Sequence, residues 1–196
     1  MIPANTTGPG NTIVRYGDPD PAHVLSVYAD LRCPYCKRME NGLGVVMEQA
    51  ADAGRFTIEY QFAALIDDGV GGTGSLEALA ALGAAADEGQ KPFMRYLHEL
   101  YAEQPDESDD AFADRDRLLA LSGEVEALRT EGFRKKVREG AYLPWAQRVG
   151  AAFETSTVPG TPTVLIDVTP IPVINPAGYP ITTEAFLAQL PDPPRP

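Results

Sequence analysis

The sequence is poor in cysteine, histidine and positive charge. Two cysteines and two histidines in 196 residues exclude a disulfide framework. They also leave too few ligands for an intramolecular structural zinc, which takes four Cys or His side chains. Sixteen Lys and Arg against 28 Asp and Glu, a net charge of −12, argue against nucleic acid or an anionic bilayer as partner, since neutralising either takes clustered cations. No run approaches the ~18 consecutive apolar residues of a membrane-spanning helix, and Met1 to Thr12 lacks the charged-then-apolar profile of a secretory signal. A polar start is also what remains when an export signal or anchor is absent from the chain, so localisation stays open on this ground. With 44% hydrophobic residues there is enough apolar surface for one sizeable core, or a core plus a small subdomain.

What is present has a clear order. After the turn Asp18-Pro19-Asp20-Pro21, His23 to Asp30 is a short, nearly continuous apolar run that predicts a strand buried on both faces. From Pro34 the period changes. Met39, Leu43, Val46, Met47 and Ala50 recur at helical spacing and Gly54 closes the run, with Pro34 suited to the first helical position. Phe56, Ile58, Tyr60 and Phe62 alternate with polar residues as a second strand, so strand, helix and strand make the right-handed crossover unit of a parallel sheet. Asp68 to Gly74 is a glycine-rich loop without the Lys-Ser/Thr ending or G-x-G-x-x-G pattern of a nucleotide site.

A long helical stretch follows: an Ala-rich segment around Leu76 and Leu79, the stripe Phe93, Tyr96, Leu97, Leu100 and Tyr101, then Phe112 to Leu121 and Phe133 to Phe153, the last broken near Gly140 and by Pro144. The acidic run Asp106 to Asp110 predicts a solvated loop and a helix start. Strand character returns at Thr163 to Asp167 and Ile171 to Ile174, an antiparallel hairpin whose second strand Pro170 and Pro172 push to the sheet edge. Thr182 or Thr183 can cap a last helix holding Phe186, Leu187 and Leu190. Residues 1–12 and 191–196, rich in Pro, Gly and small polar residues, are expected to be flexible arms or tails.

The chemistry concentrates at Cys33 and Cys36, just past the first strand where the helix opens. Such a pair can be a reversible disulfide, half of a zinc site completed by a second chain, or two inert buried thiols. Its place at a helix N-terminus favours the first. There unpaired N–H groups and the positive end of the macrodipole stabilise a thiolate relative to the thiol, and Arg32, Lys37 and Arg38 supply local positive charge. Cys33 is then the nucleophile and Cys36, one turn further in, the resolving thiol. His23, His98 and Trp145 are expected to be structural or surface residues.

Asp30-Leu31-Arg32-Cys33-Pro34-Tyr35-Cys36-Lys37-Arg38 and Val158-Pro159-Gly160-Thr161-Pro162-Thr163, taken with the strands beside them, resemble the thioredoxin fold. The long helical stretch between them makes the chain similar to the DsbA-like branch of that superfamily. The resemblance covers roughly residues 11–190 in element order. It implies an α/β thioredoxin fold with a helical domain inserted between the N-terminal strand-helix-strand half and the C-terminal hairpin-helix half. The division would be 13–73 and 154–190 for the discontinuous thioredoxin-like domain and 74–153 for the insertion. It also implies a cis Pro162 against the cysteines and Thr161 as the residue whose backbone pairs with an extended substrate segment. Pro34 and Tyr35 become the dipeptide of the active site, and Arg32 and Lys37 its supporting charge. Cys-Pro-Tyr-Cys is also a glutaredoxin motif, which would move the site proline to Pro159, but a glutaredoxin has no helical insertion. Where the family commonly carries a buried carboxylate, this chain has Val27, so a proton would come from water, Asp30 or Glu59. Tyr35 stands where the strongest oxidants carry His, which points to a less oxidising couple.

The resulting expectation is a protein disulfide oxidoreductase that forms or exchanges disulfides in protein thiols, with no cofactor, no metal and no nucleic acid. It would act as a monomer with a redox recycling partner, for an oxidant a membrane quinone-coupled thiol oxidase, in an extracytoplasmic compartment. A reductase or isomerase using the same residues is the alternative within the enzyme class. Outside it stands a thioredoxin-like binding module whose cysteines are idle. A glutathione-using transferase is disfavoured by the intact pair.

Overall fold

In the computed structural model, which describes residues 1–191, the chain opens with two strands, β1 (Thr6–Thr7) and β2 (Ile13–Tyr16). They precede the strand expected after the Pro-rich turn, β3 (Val24–Ala29). A helix begins at α1 (Pro34–Met39), widens into a π-turn at Glu40–Gly44 and continues as α2 (Val45–Asp52). Strand β4 (Thr57–Phe62) follows. The helices come next: α3 (Leu65–Val70), α4 (Gly74–Glu88), α5 (Gln90–Ala102), α6 (Arg115–Ser122), α7 (Glu131–Arg138) and α8 (Leu143–Glu154). Strands β5 (Thr163–Ile166) and β6 (Thr169–Pro170) and helix α9 (Thr183–Leu187) complete the thioredoxin-type α/β fold.

The sheet runs β1-β2-β4-β3-β5-β6. Strands β3 and β4 are parallel, as their helical crossover requires, and the other neighbours are antiparallel. The register sets Val14, Tyr16, Leu25, Val27, Ile58, Tyr60, Val164 and Ile166 on one face, all buried. Phe93 of α5 stands edge-on to Tyr60 there. The opposite face is half-covered: Tyr28 meets Phe153 of α8, while Arg15 pairs with Glu59 at 2.6 Å. Strand β3 therefore alternates buried and half-buried residues, a departure from the strand buried on both faces that its apolar run predicts.

Helix α4 is buried along most of its length because its residues are small. A Cβ at Gly83 would come within 2.7 Å of the Trp145 ring, so only glycine lets α8 pack this closely. Residues 1–12, expected as a flexible arm, are docked. They supply β1, Pro3 is buried, the Asn5 amide donates to Ala86 O, and Trp145 Nε1 donates to Asn11 O at 2.8 Å. The polar composition misleads because a sheet edge, a backbone carbonyl and two small side chains make these contacts, with no periodic apolar face.

Other boundaries shift for local reasons. Pro144 opens α8 in its first turn instead of breaking a helix. The second hairpin strand is Thr169–Pro170, and Ile174 keeps only an isolated bridge to Pro180, since prolines at 170 and 172 remove ladder donors. Beyond Pro191 the expected tail 191–196 lies outside the described residues. Among the described residues no helix is long and apolar enough to cross a membrane.

Candidate active site

Cys33 is the N-cap of α1, and Pro34, which has no N–H to lose, is its first residue. The N–H groups of Tyr35 and Cys36 are left free at this helix end. The two thiols are unlinked. Cys33 keeps 5% of its surface exposed and Cys36 none. A hydrogen bond from Cys36 is the main influence pushing the Cys33 thiol down, to about 7; the backbone N–H groups of Cys36 and Tyr35 and the Thr161 side chain act in the same direction against burial. Neither N–H has full hydrogen-bond geometry to the sulfur, so their effect is that of aligned dipoles at short range. Cys36 is pushed the other way, by burial first and by its charged neighbour Cys33 second. The arrangement favours the thiolate at Cys33 and the thiol at Cys36, the asymmetry that disulfide exchange uses.

The loop before β5 closes over this pair. Cys33 Sγ lies 3.5 Å from Thr161 O, and the Thr161–Pro162 peptide is cis. Beneath, the Asp30 backbone N–H donates to Cys36 Sγ at 3.5 Å. The helical layer grips the same turn: Tyr101 OH donates to Asp30 O, and Gln104 Nε2 donates to Leu31 O and Cys33 O. Tyr101 belongs to the apolar stripe and Gln104 to the loop after α5, so neither announces this role in sequence.

Two expected supporting charges are engaged elsewhere. Arg32 is 2% exposed and forms ion pairs with Asp67 at 2.6 Å and Asp110 at 3.0 Å, with further bonds to Gly71 O and Glu107 O. Lys37 Nζ donates to Gln104 O at 2.7 Å. Both tie the active-site turn and its helix to the helical layer. The same cluster explains two other stretches. The acidic run is not wholly solvated, because Asp110 accepts from Thr73 N and Gly74 N. A Cβ at Gly74 would lie 2.6 Å from Asp110 Oδ1, so the glycine-rich loop exists for close approach rather than for phosphate.

Tyr35 is 48% exposed. The Arg38 guanidinium sits 5.2 Å from the centre of its ring and 5.4 Å from that of Tyr179, a cation–π stack fastened by Arg38 donating to Gly178 O. A cleft of about 720 Å³ opens beside it, lined by Pro34, Lys37, Asn41, Gln104 and Asp106 among others. Val27 lies in the sheet core. Of the suggested proton carriers, Glu59 is bound to Arg15 on the half-covered face. Asp30 is buried and held by three donors, Arg32 N, Ser75 Oγ and Ile66 N. Burial still pushes its carboxyl up.

One buried carboxyl was not singled out from the sequence: Glu40, four residues after Cys36 on the stripe that also carries Leu43 and Met47. An acid on a buried helical stripe is itself a signal. Among the described residues no group of three or more His, Cys, Asp or Glu side chains is placed to hold a metal ion.

Comparison with known proteins agrees with this geometry. The family model described as Thioredoxin matches residues 9–190. Among solved structures, the reduced form of the disulfide bond oxidoreductase DsbG from Mycobacterium tuberculosis is similar with a TM-score of 0.71 and 27% identity, covering 93% of this chain and 86% of that one. Oxidised DsbA from the same organism matches with a TM-score of 0.71 and 27% identity over 90% of each chain. MdbA, a thiol–disulfide oxidoreductase from Corynebacterium matruchotii, shares the fold with a TM-score of 0.73 at 16% identity, over 97% of this chain and 93% of that one. No curated protein matches the chain significantly.

Proposed function

This chain belongs to the thioredoxin family, and on that premise we propose that it is a DsbA-like thiol–disulfide oxidoreductase working through Cys33 and Cys36. The observation that carries the reading is the split between the two thiols, one pushed down to about 7 with a small part of its surface exposed, the other wholly buried and pushed up. In the oxidising direction a substrate thiolate attacks Cys33 Sγ of the Cys33–Cys36 disulfide, and the bond to Cys36 breaks. A second substrate thiolate then attacks the substrate sulfur of the mixed disulfide and expels Cys33. Two electrons pass from substrate to enzyme. One substrate proton ends on Cys36 and the other goes to solvent, while Cys33 leaves as thiolate.

Thr161 would pair through its backbone with an extended substrate segment beside Pro162, and Pro34 and Tyr35 would face that segment. The thioredoxin-like part would comprise 13–73 and 154–190, with 74–153 as the helical insertion. Protein thiols are the substrates, a monomer is the working unit, and a separate redox partner recycles the pair in an extracytoplasmic compartment, where disulfides persist. A Cys33 thiol near 7 matches the value of about 7 found in reducing thioredoxins rather than about 3.5 in the strongest oxidant. That observation favours, as second reading, a reductase or isomerase with the same residues.

The redox equilibrium of the pair in glutathione buffers, read by mass after alkylation, tests both readings. A potential of about −120 to −180 mV identifies an oxidant or isomerase, and one near about −270 mV a reductase. Cys33→Ser should lose all turnover. If it keeps its function, or the wild-type pair never cycles, the protein is a binding module instead.

A further inference from the structure

Most arginines that reach across this fold meet an acid: Arg15 meets Glu59, Arg32 meets Asp67 and Asp110, and Arg115 meets Glu77. Arg38 does not. Among the described residues no carboxylate lies within ion-pair distance of it, and two aromatic rings take the place of an acid. Its guanidinium carbon is 5.2 Å from the centre of the Tyr35 ring and 5.4 Å from that of Tyr179. Such contacts leave the in-plane N–H donors of a guanidinium, a planar fork, available for hydrogen bonds. One is made, from Nη1 to Gly178 O at 2.8 Å, and among the described residues the other donors have no protein acceptor. With Tyr35 48% and Tyr179 60% exposed, the group is open to solvent.

The arrangement is ordered from both sides. Tyr35 and Arg38 are three residues apart on α1 and therefore neighbours on its surface. Tyr179 hangs on a tight turn: Asn175 Oδ1 accepts from Ala177 N and Tyr179 N, and Asn175 N donates to Tyr179 O at 2.7 Å. Gly178 in that turn has φ +82°, and a Cβ there would lie 3.0 Å from Tyr35 Cε1 and 3.1 Å from Arg38 Nη1, so the turn closes directly on both side chains. An arginine held in place without being neutralised has already lost much of the freedom that binding a partner would cost it. Its place is next to the thiol pair. Arg38 is five residues after Cys33, about 7.5 Å along the helix axis, a length spanned by about two to three residues of extended chain. The cleft of about 720 Å³ beside it has four charged lining residues, Lys37 and Arg38 on α1 and Asp106 and Glu107 on the facing loop. Lys37 is already held on Gln104 O.

We propose that Arg38, held between Tyr35 and Tyr179, is a specificity-determining residue that binds an Asp or Glu side chain about two to three residues from the reactive cysteine of the substrate. The inference rests on the exchange reading of Cys33 and Cys36 and names its substrate class, protein segments with an acid beside the cysteine. The planar donor fork matches both oxygens of a carboxylate. Asp106 and Glu107 repel the same acid from the opposite wall, which sets the direction in which the segment lies. The protein as a whole, at −12, disfavours acidic partners at long range, so a preference for them has to come from a local cation. Arg38 takes no part in electron or proton transfer.

Reduction of the oxidised Cys33–Cys36 pair by an excess of single-cysteine peptides tests this. Two peptide thiols give up two electrons and leave as one peptide disulfide, and the pair becomes a dithiol. The peptides carry Glu, Gln or Lys two or three residues before or after the cysteine. Each rate, read by mass after alkylation, is divided by that of the same peptide with neutral bis(2-hydroxyethyl) disulfide, which cancels differences in thiol reactivity. At about 0.15 M salt the Glu peptide should exceed the Gln peptide about 5- to 20-fold in at least one position, as for a partly exposed charge-assisted pair, and the Lys peptide should fall below both. Arg38→Met should bring the Glu-to-Gln ratio under about twofold. A wild-type ratio within about twofold at every position overturns the proposal and leaves the exchange function standing, and so does a preference that survives in Arg38→Met. Should Arg38→Met not fold, Arg38→Lys replaces it. Lysine keeps the charge without the fork and should cut the ratio at least about threefold; an unchanged ratio overturns the proposal. A wild-type pair that never cycles in glutathione buffers overturns the function first, and the proposal with it.

Discussion

At its N-terminal end, the helix opening at Cys33 surrounds a thiol with donors, the Cys36 thiol foremost and the backbone N–H groups of Cys36 and Tyr35 behind it, which push it down to about 7, whereas in the Glu40–Gly44 turn it offers a carboxyl no donor, and burial pushes that carboxyl up to about 8. Both groups are acids nearly out of water, in a chain of net charge −12. What separates them is the local supply of hydrogen-bond donors, the Cys36 thiol first and polarised N–H groups second. The helix N-terminus leaves its first donors unpaired, and those near Cys33 face sulfur. By the π-turn the backbone donors are used within the helix, and a carboxylate there has only burial and another acid around it. A protein can therefore set two acids of one helix on opposite sides of their ordinary values without placing a cation beside either.

The comparison can be broken first at Arg32, which lies next to Cys33 in sequence but belongs to a buried ion cluster. Arg32→Met leaves the buried Asp67 carboxylate without its cation, held only by the Ser75 and Leu76 N–H groups, and should cost about 3–5 kcal/mol of stability, measured by urea unfolding; a loss under about 1 kcal/mol would mean the cluster is far wetter than its burial indicates. The second test is at Glu40. Its midpoint is raised in the folded state from 4.5 to about 8, so its favourable contribution is complete below about pH 4.5 and is lost as pH rises towards 8. At about 1.4 kcal/mol per unit, the wild type should lose on the order of 3 kcal/mol between pH 4.5 and 7 from this group, and Glu40→Gln should lack that slope. Parallel stability–pH curves for the two proteins would remove the contrast between the helix ends.

The smallest effect is expected at Lys37, which binds Gln104 O. Lys37→Ala should leave the alkylation midpoint of Cys33 near 7, moving it by less than about 0.3 unit, as for a screened partly exposed charge. A shift of a full unit would show that side-chain charge, not the helix end, controls the thiol.

Much of this was legible in the chain itself. The crossover from β3 to β4 follows from a change of period between Val24 and Phe62, and the N-cap place of Cys33 follows from Pro34. Strands β1 and β2 were not legible. Ile13 to Tyr16 is too short to declare a period, and the segment before it is held through backbone carbonyls and a sheet edge. The direction of Arg32 was not legible either. Its neighbour Cys33 suggests a local role, but its partners Asp67 and Asp110 lie far along the chain and meet it only because helix α3 and the loop before α6 converge. Nor was Asp110 distinguishable from the exposed acids around it, since capping α4 depends on where its loop closes.

By itself the sequence determined the position of the thiol pair, the residue types beside it and the strand-helix-strand crossover that carries it, because period, proline and capping act over a few neighbouring residues. Only the tertiary structure decided which charges act on the pair. It paired Arg32 and Glu59 with distant partners, fixed Lys37 on Gln104 O, clamped Asp30 with three donors and left Glu40 with none. The reason is physical: an acid's protonation depends on the donors and solvent within a few ångströms of it, and those are assembled by segments that are distant in the chain.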